Sequence, residues 1–338
     1  MEALMRYLLI AFIFILLYSC SSGSENSIQR GLYYWKSDFQ LNDNQNKFLD
    51  DIDAQVLYIK YFDVIKTRWS YSYFPTAELD YISDTDIPIV PVVYITPNVF
   101  YNLDGYSIRV LAENVATKIK AIHPLNKKIT ELQFDCDWNR DIQGSYFSFL
   151  EVIKEHFPET TISATIRLYQ YKYPDITGVP PVDKGLLMYY NMGNLRMYDE
   201  SNSILNNDIG RQFLGFNEYS LPLDIAIPNF KWTLLFRQGN FEQICPNITL
   251  EQLKNKELFT NTRGNWYAFK KDTVLNNTYF RFGDELRFEY CSEDELLKAA
   301  ELLKEEINQE NTRVLIYDLQ PDTPKDYEKL DAVFSAFN

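Results

Sequence analysis

From residue 31 onward, short runs rich in β-branched and aromatic residues alternate with stretches whose apolar positions recur every three or four residues. Apolar positions of the first kind suit buried strands, and those of the second suit helices with one buried face. Strands are expected at 31–39, 55–63, 87–96, 129–138, 161–169, 185–192, 223–236 and 313–320, and helices at 43–52, 107–122, 145–156, 203–214 and 292–309. Ser292 ahead of Glu293-Asp294-Glu295 reads as a helix start, with a capping hydroxyl and an acidic first turn. Eight such β/α units in a chain of 338 residues fit a closed (β/α)8 TIM barrel better than the alternative, an open doubly wound sheet.

The spacing breaks once. Between the seventh and eighth strands, residues 237–290 form an extra segment whose later part alternates like antiparallel strands, with turn signals at Asn276-Asn277 and Phe282-Gly283-Asp284. This predicts a small α+β insertion on the face of the barrel where the loops following the strands build a site.

An aromatic content of 16%, with 25 Tyr and 23 Phe, supports one well-packed domain over 31–338. The formal net charge of -14 and the lack of a basic patch argue against a nucleic-acid partner. The 12 glycines form neither a G-x-G-x-x-G nor a phosphate-loop pattern, so no nucleotide cofactor is expected. His123 and His156 both fall at ends of helical runs, and the four cysteines have no metal-site spacing, so neither a zinc site nor a catalytic histidine is expected. Cys245 and Cys291 could pair in an oxidising compartment, leaving Cys136 in the core.

The first residues predict that such a compartment is reached. Arg6 precedes an apolar run over 7–18 that is short for a membrane span, so 1–19 reads as an export signal. Leu17-Tyr18-Ser19-Cys20 resembles a bacterial lipobox, with Tyr18 an unusual occupant, which implies lipidation at Cys20, a polar tether over 20–30 and attachment to a membrane of the cell envelope. Ordinary signal cleavage or an uncleaved anchor is the alternative.

The chemistry concentrates in the fourth strand. In Leu132-Gln133-Phe134-Asp135-Cys136-Asp137-Trp138-Asn139, strand alternation places Gln133, Asp135 and Asp137 on one face and Leu132, Phe134 and Cys136 on the other. Two acids on one partly dry face raise at least one pKa, which suits acid/base work unless cations offset them. Arg167 and Lys60, on the fifth and second strands, are expected to point inward as those cations, Lys60 together with Tyr58 and Phe62. Tyr34, Trp35, Tyr94, Trp138, Tyr169, Tyr189, Tyr190, Trp232 and Tyr317 fall near strand C-termini, where aromatic faces can stack on sugar rings.

In this order the residues resemble the chitinase-type glycoside hydrolases of family eighteen. That family carries D-x-x-D-x-D-x-E on its fourth strand, and Asp135-Cys136-Asp137-Trp138-Asn139 resembles the D-x-D-W-E portion. Met188-Tyr189-Tyr190-Asn191 resembles the sixth-strand M-x-Y-D, Ala226 to Lys231 is similar to the seventh-strand G-x-P-x-Y-G region, and Tyr317 falls where the eighth strand ends in Trp. The family also often carries an α+β insertion after strand seven. A second similarity is to uncharacterised exported bacterial barrels with an Asp-x-Asp at this strand and a Lys-Tyr-Phe-Asp-like second strand, here Lys60 to Asp63.

The chitinase resemblance implies that the last Glu of the motif protonates the glycosidic oxygen, that the Asp before it orients the substrate's acetamido group, and that the sixth-strand Tyr and Asp assist. Here the Glu position holds Asn139 and the sixth-strand Asp position holds Asn191. An amide cannot deliver that proton. Three functions therefore stand side by side: a glycoside hydrolase using Asp137 or Asp135 with Tyr190, a non-catalytic glycan-binding lipoprotein, and an envelope scaffold protein. For the first two the expected ligand is an oligo- or polysaccharide, contacted by Lys60, Tyr94, Trp138, Asn139, Arg167, Tyr189, Asn191, Trp232 and Tyr317.

Overall fold

The computed structural model describes residues 28–66, 73–80, 85–215, 219–307, 309, 311–320 and 322–338. The export signal, Cys20 and most of the expected tether lie outside the described residues.

Eight parallel strands close into a barrel: β1 (Gln29–Tyr34), β2 (Val56–Lys66), β3 (Ile89–Ile95), β4 (Glu131–Asp135), β5 (Thr161–Arg167), β6 (Lys184–Met188), β7 (Leu223–Pro228) and β8 (Arg313–Tyr317). β1 pairs with both β2 and β8, which completes the ring. A short strand, Tyr73–Thr76, adds antiparallel to the far end of β2. Alternation along each strand divides the apolar residues into two cores. Tyr33, Tyr58, Val92, Leu186, Met188, Ala226 and Leu315 fill the barrel, whereas Leu57, Ile59, Leu132, Phe134, Ile166, Ile225 and Ile316 pack against the surrounding helices. Gly31 allows this filling, because a Cβ there would lie 2.5 Å from Leu315 Cδ2 and 2.7 Å from Val56 Cγ1.

The main helices are α1 (Asp43–Asp51), α2 (Gly105–Ile122), α3 (Gln143–His156), α4 (Glu293–Glu306) and α5 (Tyr327–Phe337). Asn42 and Gln45 form a capping box at α1, Asp104 accepts from Ser107 N at α2, and Ser292 accepts from Glu295 N at α4. The helix expected over 203–214 is reduced to the turn Asn207–Gly210 followed by Arg211–Phe213. Its polar residues bond locally instead: Asn202 Oδ1 accepts from Ile204 N, and Asn206 Oδ1 from Asp208 N.

The run expected as one long seventh strand is split. β7 stops at Pro228, and Lys231–Arg237 becomes a central strand of a five-stranded antiparallel sheet with Asn240–Ile244, Glu285–Tyr290, Trp266–Phe269 and Phe259–Arg263. With the short helix Leu250–Leu253, this sheet is the α+β insertion. Asn276 and Asn277, both at positive φ, make the two-residue turn of a small hairpin beside it. One face of the sheet covers Leu235, Cys245, Phe269 and Leu286; the other presents Leu234, Phe236 and Trp266 to Leu195 and Tyr198 of the segment following β6. Cys245 thus belongs to the insertion core while Cys291 packs in the barrel core, and with Cys136 they are free, buried thiols.

Arg287 and Glu289, both fully buried, join the insertion to the barrel. Their side chains meet at 2.6 Å; Arg287 also donates to the carbonyls of Leu195, Met197 and Glu200, while Glu289 accepts from Ser203 N, Ser203 Oγ and Trp232 Nε1. These bonds anchor the segment that follows β6.

Candidate functional site: a pocket at the C-terminal mouth of the barrel

The carboxyl ends of the strands surround a cavity of about 240 Å³. It is lined by Tyr33 and Trp35 at β1, Asp63 on β2, Tyr94 on β3, Asp135 on β4, Thr165 and Arg167 on β5, Met188, Tyr190 and Asn191 at β6, and Tyr317 on β8. The site thus occupies the end of the barrel where a TIM fold collects functional side chains.

Asp135 is almost entirely buried, and Thr165 Oγ1 donates to its Oδ1 at 2.7 Å. Burial raises its pKa to about 6; Arg167 opposes that rise and Asp137 adds to it. Asp137 lies just past the end of β4 and is half-exposed. Both of its oxygens accept from Arg167, one from Nε and one from Nη2 at 2.9 Å. Burial works against the Arg167 charge, but the bonds and charge of Asp137 outweigh it and hold the guanidinium above its ordinary pKa. A carboxylate held in this fork is an acceptor, not a proton donor.

The second acid–base pair was not foreseen. A bulge between Lys60 and Phe62 shifts the register of β2 against β3, so that Lys60 pairs with Val92 but Phe62 with Val93. Phe62 therefore joins Tyr61 in the outer core instead of pointing inward, and Asp63 comes into the cavity, where its Oδ1 lies 3.1 Å from Lys60 Nζ. The ammonium also sits 5.6 Å from the centre of the Trp35 ring. Lys60-Tyr61-Phe62-Asp63 was visible as a motif; the bulge that gives it meaning was not.

Aromatic rings form most of the wall. Tyr190 and Tyr317 stack at 5.1 Å with their planes 19° apart, Trp35 packs on Tyr317 at 5.5 Å, and Tyr33 contacts Trp35 at 6.0 Å. Burial keeps the hydroxyls of Tyr33, Tyr190 and Tyr317 well above their ordinary pKa and, with the nearby Asp135 and Asp137, pushes Tyr94 up to about 12. All four are hydrogen-bond donors at neutral pH. The Tyr33 hydroxyl donates to Gln133 Oε1, whereas the Tyr190 hydroxyl is buried with no partner among the described residues.

Of the residues expected at the site, Asp135, Tyr190, Tyr94, Arg167, Asn191 and Tyr317 line the cavity. Asp137 and Lys60 border it as partners of Arg167 and Asp63. Four others point elsewhere, for identifiable reasons. Tyr189 alternates with Tyr190, so it enters the outer core and bonds Asn207. β4 ends at Asp135 and the backbone turns after it, Trp138 N bonding Cys136 O; the alternation that would carry residues 137 and 139 inward is lost. Trp138 is buried against Tyr146 and donates to Thr177 O. Asn139 is exposed, its Oδ1 accepting from Asp141 N and Ile142 N ahead of α3. Trp232 belongs to the insertion strand and spends its indole N–H on Glu289. Trp35 and Asp63 also line the cavity, with Met188 of the sixth-strand motif; Tyr33 and Thr165 do so with no signal beyond inward alternation on their strands.

No protein-family model and no curated protein matches the sequence. The structure is similar to the chitinase from Chromobacterium violaceum ATCC 12472, with a TM-score of 0.52 and 10% identity over 92% of this chain and 99% of that one. It is also similar to the spore cortex-lytic enzyme SleL from Bacillus cereus, with a TM-score of 0.52 and 12% identity over 93% of this chain and 75% of that one. SleL from Bacillus megaterium QM B1551 gives 0.51 and 12%, over 92% and 75%. At such identities the likeness is one of architecture: the chain has the TIM-barrel fold of these enzymes, with an α+β insertion after the seventh strand.

Proposed function

We propose that this protein is an exported, lipid-anchored envelope protein that binds glycans at the mouth of its barrel, taking a single sugar residue into the pocket end-on. The observation that carries this reading is the pocket itself: aromatic faces next to fixed donors and acceptors, in a cavity of about 240 Å³. That volume lies below the roughly 300–1,000 Å³ of sites for drug-sized ligands, so it suits one ring and not a chain. The fold shared with a chitinase and a spore cortex-lytic enzyme is consistent with a glycan ligand. Binding without hydrolysis is favoured by Asn139, an amide turned away from the cavity at the position of the family's acid, and by the lock of Asp137 onto Arg167.

A second reading, hydrolysis with Asp135 as proton donor, is favoured by the pKa of about 6 at that carboxyl. One experiment separates the two. Chitin-type, peptidoglycan and N-glycan oligosaccharides are titrated by calorimetry and assayed for released reducing ends, with wild type and Tyr317→Ala. Binding that drops at least tenfold in Tyr317→Ala, with no turnover, supports the first reading. Turnover that vanishes in Asp135→Asn supports the second, and absence of binding to every glycan refutes both. The anchor is tested by mass spectrometry of the membrane-extracted protein: a diacylglyceryl mass on Cys20 that is absent in Cys20→Ser is the expected result, and an unmodified Cys20 refutes it.

A further inference from the structure

The charges around the pocket do not cancel. Asp63 is paired with Lys60 and Asp137 with Arg167, while among the described residues no Lys or Arg forms an ion pair with Asp135. One carboxylate is therefore left over, and it faces the cavity. Around it stand Tyr33, Trp35, Tyr94, Tyr190 and Tyr317. A carboxylate with no ion pair of its own inside a ring of aromatic faces is the environment that recognises an ammonium group, by charge from one side and by ring quadrupoles from the others. The buried, unpartnered hydroxyl of Tyr190 is an independent sign that the cavity awaits a polar ligand.

We infer that the pocket selects a cationic amino sugar, a residue bearing a free ammonium group, over its N-acetylated or acidic counterparts, with Asp135 as the group that pairs with the ammonium. The inference rests on the glycan-binding reading and sharpens its ligand class. An acetylated nitrogen carries no charge and would leave Asp135 buried and unpaired. An acidic sugar would add a further negative charge, and the Nε and Nη2 of Arg167, the cation nearest to hand, are already committed to Asp137.

The test compares glucosamine di- and trisaccharides with N-acetylglucosamine oligomers of the same length, by calorimetry at a pH where the amine is charged and in 150 mM salt to screen the acidic surface. The wild type is expected to bind the deacetylated oligomers at least tenfold more tightly, and Asp135→Asn, with its fold checked by near-UV circular dichroism, is expected to reduce the preference to less than threefold. Equal or reversed preference in the wild type overturns the inference while leaving glycan binding standing. A preference that survives in Asp135→Asn also overturns it, because the surface charge and not the pocket is then responsible. Failure of both series and of all other glycans to bind removes the underlying reading too.

Discussion

Asp135→Asn should stabilise the folded protein at neutral pH. In the native state the carboxyl titrates at about 6, against an ordinary 3.8, because burial penalises its charged form more than the neighbouring Arg167 favours it. Below pH 3.8 the acid is protonated in both folded and unfolded chains and contributes no difference. Between there and pH 6 the folded chain holds a proton that the unfolded chain has released, so stability falls as pH rises. Above pH 6 the penalty is complete, at about 3 kcal/mol from the difference between 6 and 3.8. Asparagine keeps the acceptor that Thr165 Oγ1 donates to and removes the charge, and the Lys60–Asp63 and Arg167–Asp137 pairs remain neutral around it.

Urea unfolding of wild type and variant across pH 4 to 7.5 measures this directly. The two curves should nearly coincide at pH 4 and separate with a midpoint between there and pH 6, the variant ending about 3 kcal/mol more stable. Other buried acids, such as Asp318, titrate in both proteins and cancel in the difference. A gap that does not depend on pH, or a variant less stable than wild type at pH 7, would refute the argument. Asp135 would then be stabilised as an anion by its surroundings and would not be held there at a cost.

Asn139→Glu, which restores the family's acid at its sequence position, should yield no hydrolysis, because residue 139 faces solvent; loss of its bonds to Asp141 N and Ile142 N should cost about 1 kcal/mol in chemical denaturation. Reducing-end release by this variant would show that the position can reach a substrate. Tyr190→Phe removes a buried hydroxyl with no partner among the described residues and should raise stability by about 1 kcal/mol while weakening glycan binding severalfold; a loss of stability would mean that the hydroxyl is satisfied in solution. Lys184→Met leaves Glu131 and Asp224 buried without their shared ammonium, at 3.0 Å and 2.5 Å, and should cost roughly 3–5 kcal/mol. Thermal unfolding checks this, and a shift of less than a few degrees would contradict it.

The barrel was legible because its information is periodic. Strand alternation and helix spacing repeat over the whole chain, and each expected barrel strand matches an observed one to within a few residues, apart from the run that Pro228 divides. The site was legible where alternation holds to the end of a strand, as it does for Asp135, Arg167 and Tyr317, and where it continues past the end, as it does for Tyr190 two residues after β6. It failed where a strand stops or slips. β4 ends at Asp135, four residues before the motif does, which sends Trp138 into the core and Asn139 to the surface. The bulge in β2 inverts the facing of Phe62 and Asp63, and a one-residue slip of this kind leaves no mark in a hydrophobicity pattern.

The two ends of the barrel interior pair their charges differently. At the N-terminal end, Glu131 and Asp224 face Lys184 and Arg313, two acids against two bases, with Tyr58 and Ser163 donating to the Glu131 carboxylate. Burial raises the pKa of both acids; Lys184 and Arg313 bring Glu131 below its ordinary value, whereas Asp224 stays above its own despite Lys184. At the C-terminal end, Asp63 pairs with Lys60 and Asp137 with Arg167, and among the described residues Asp135 has no ion-pair partner. A folding constraint would favour neutrality at both ends, since an unpaired buried carboxylate lowers stability. Its position beside a cavity, and not within the N-terminal cluster, is what the proposed ammonium ligand would account for, by supplying the missing partner.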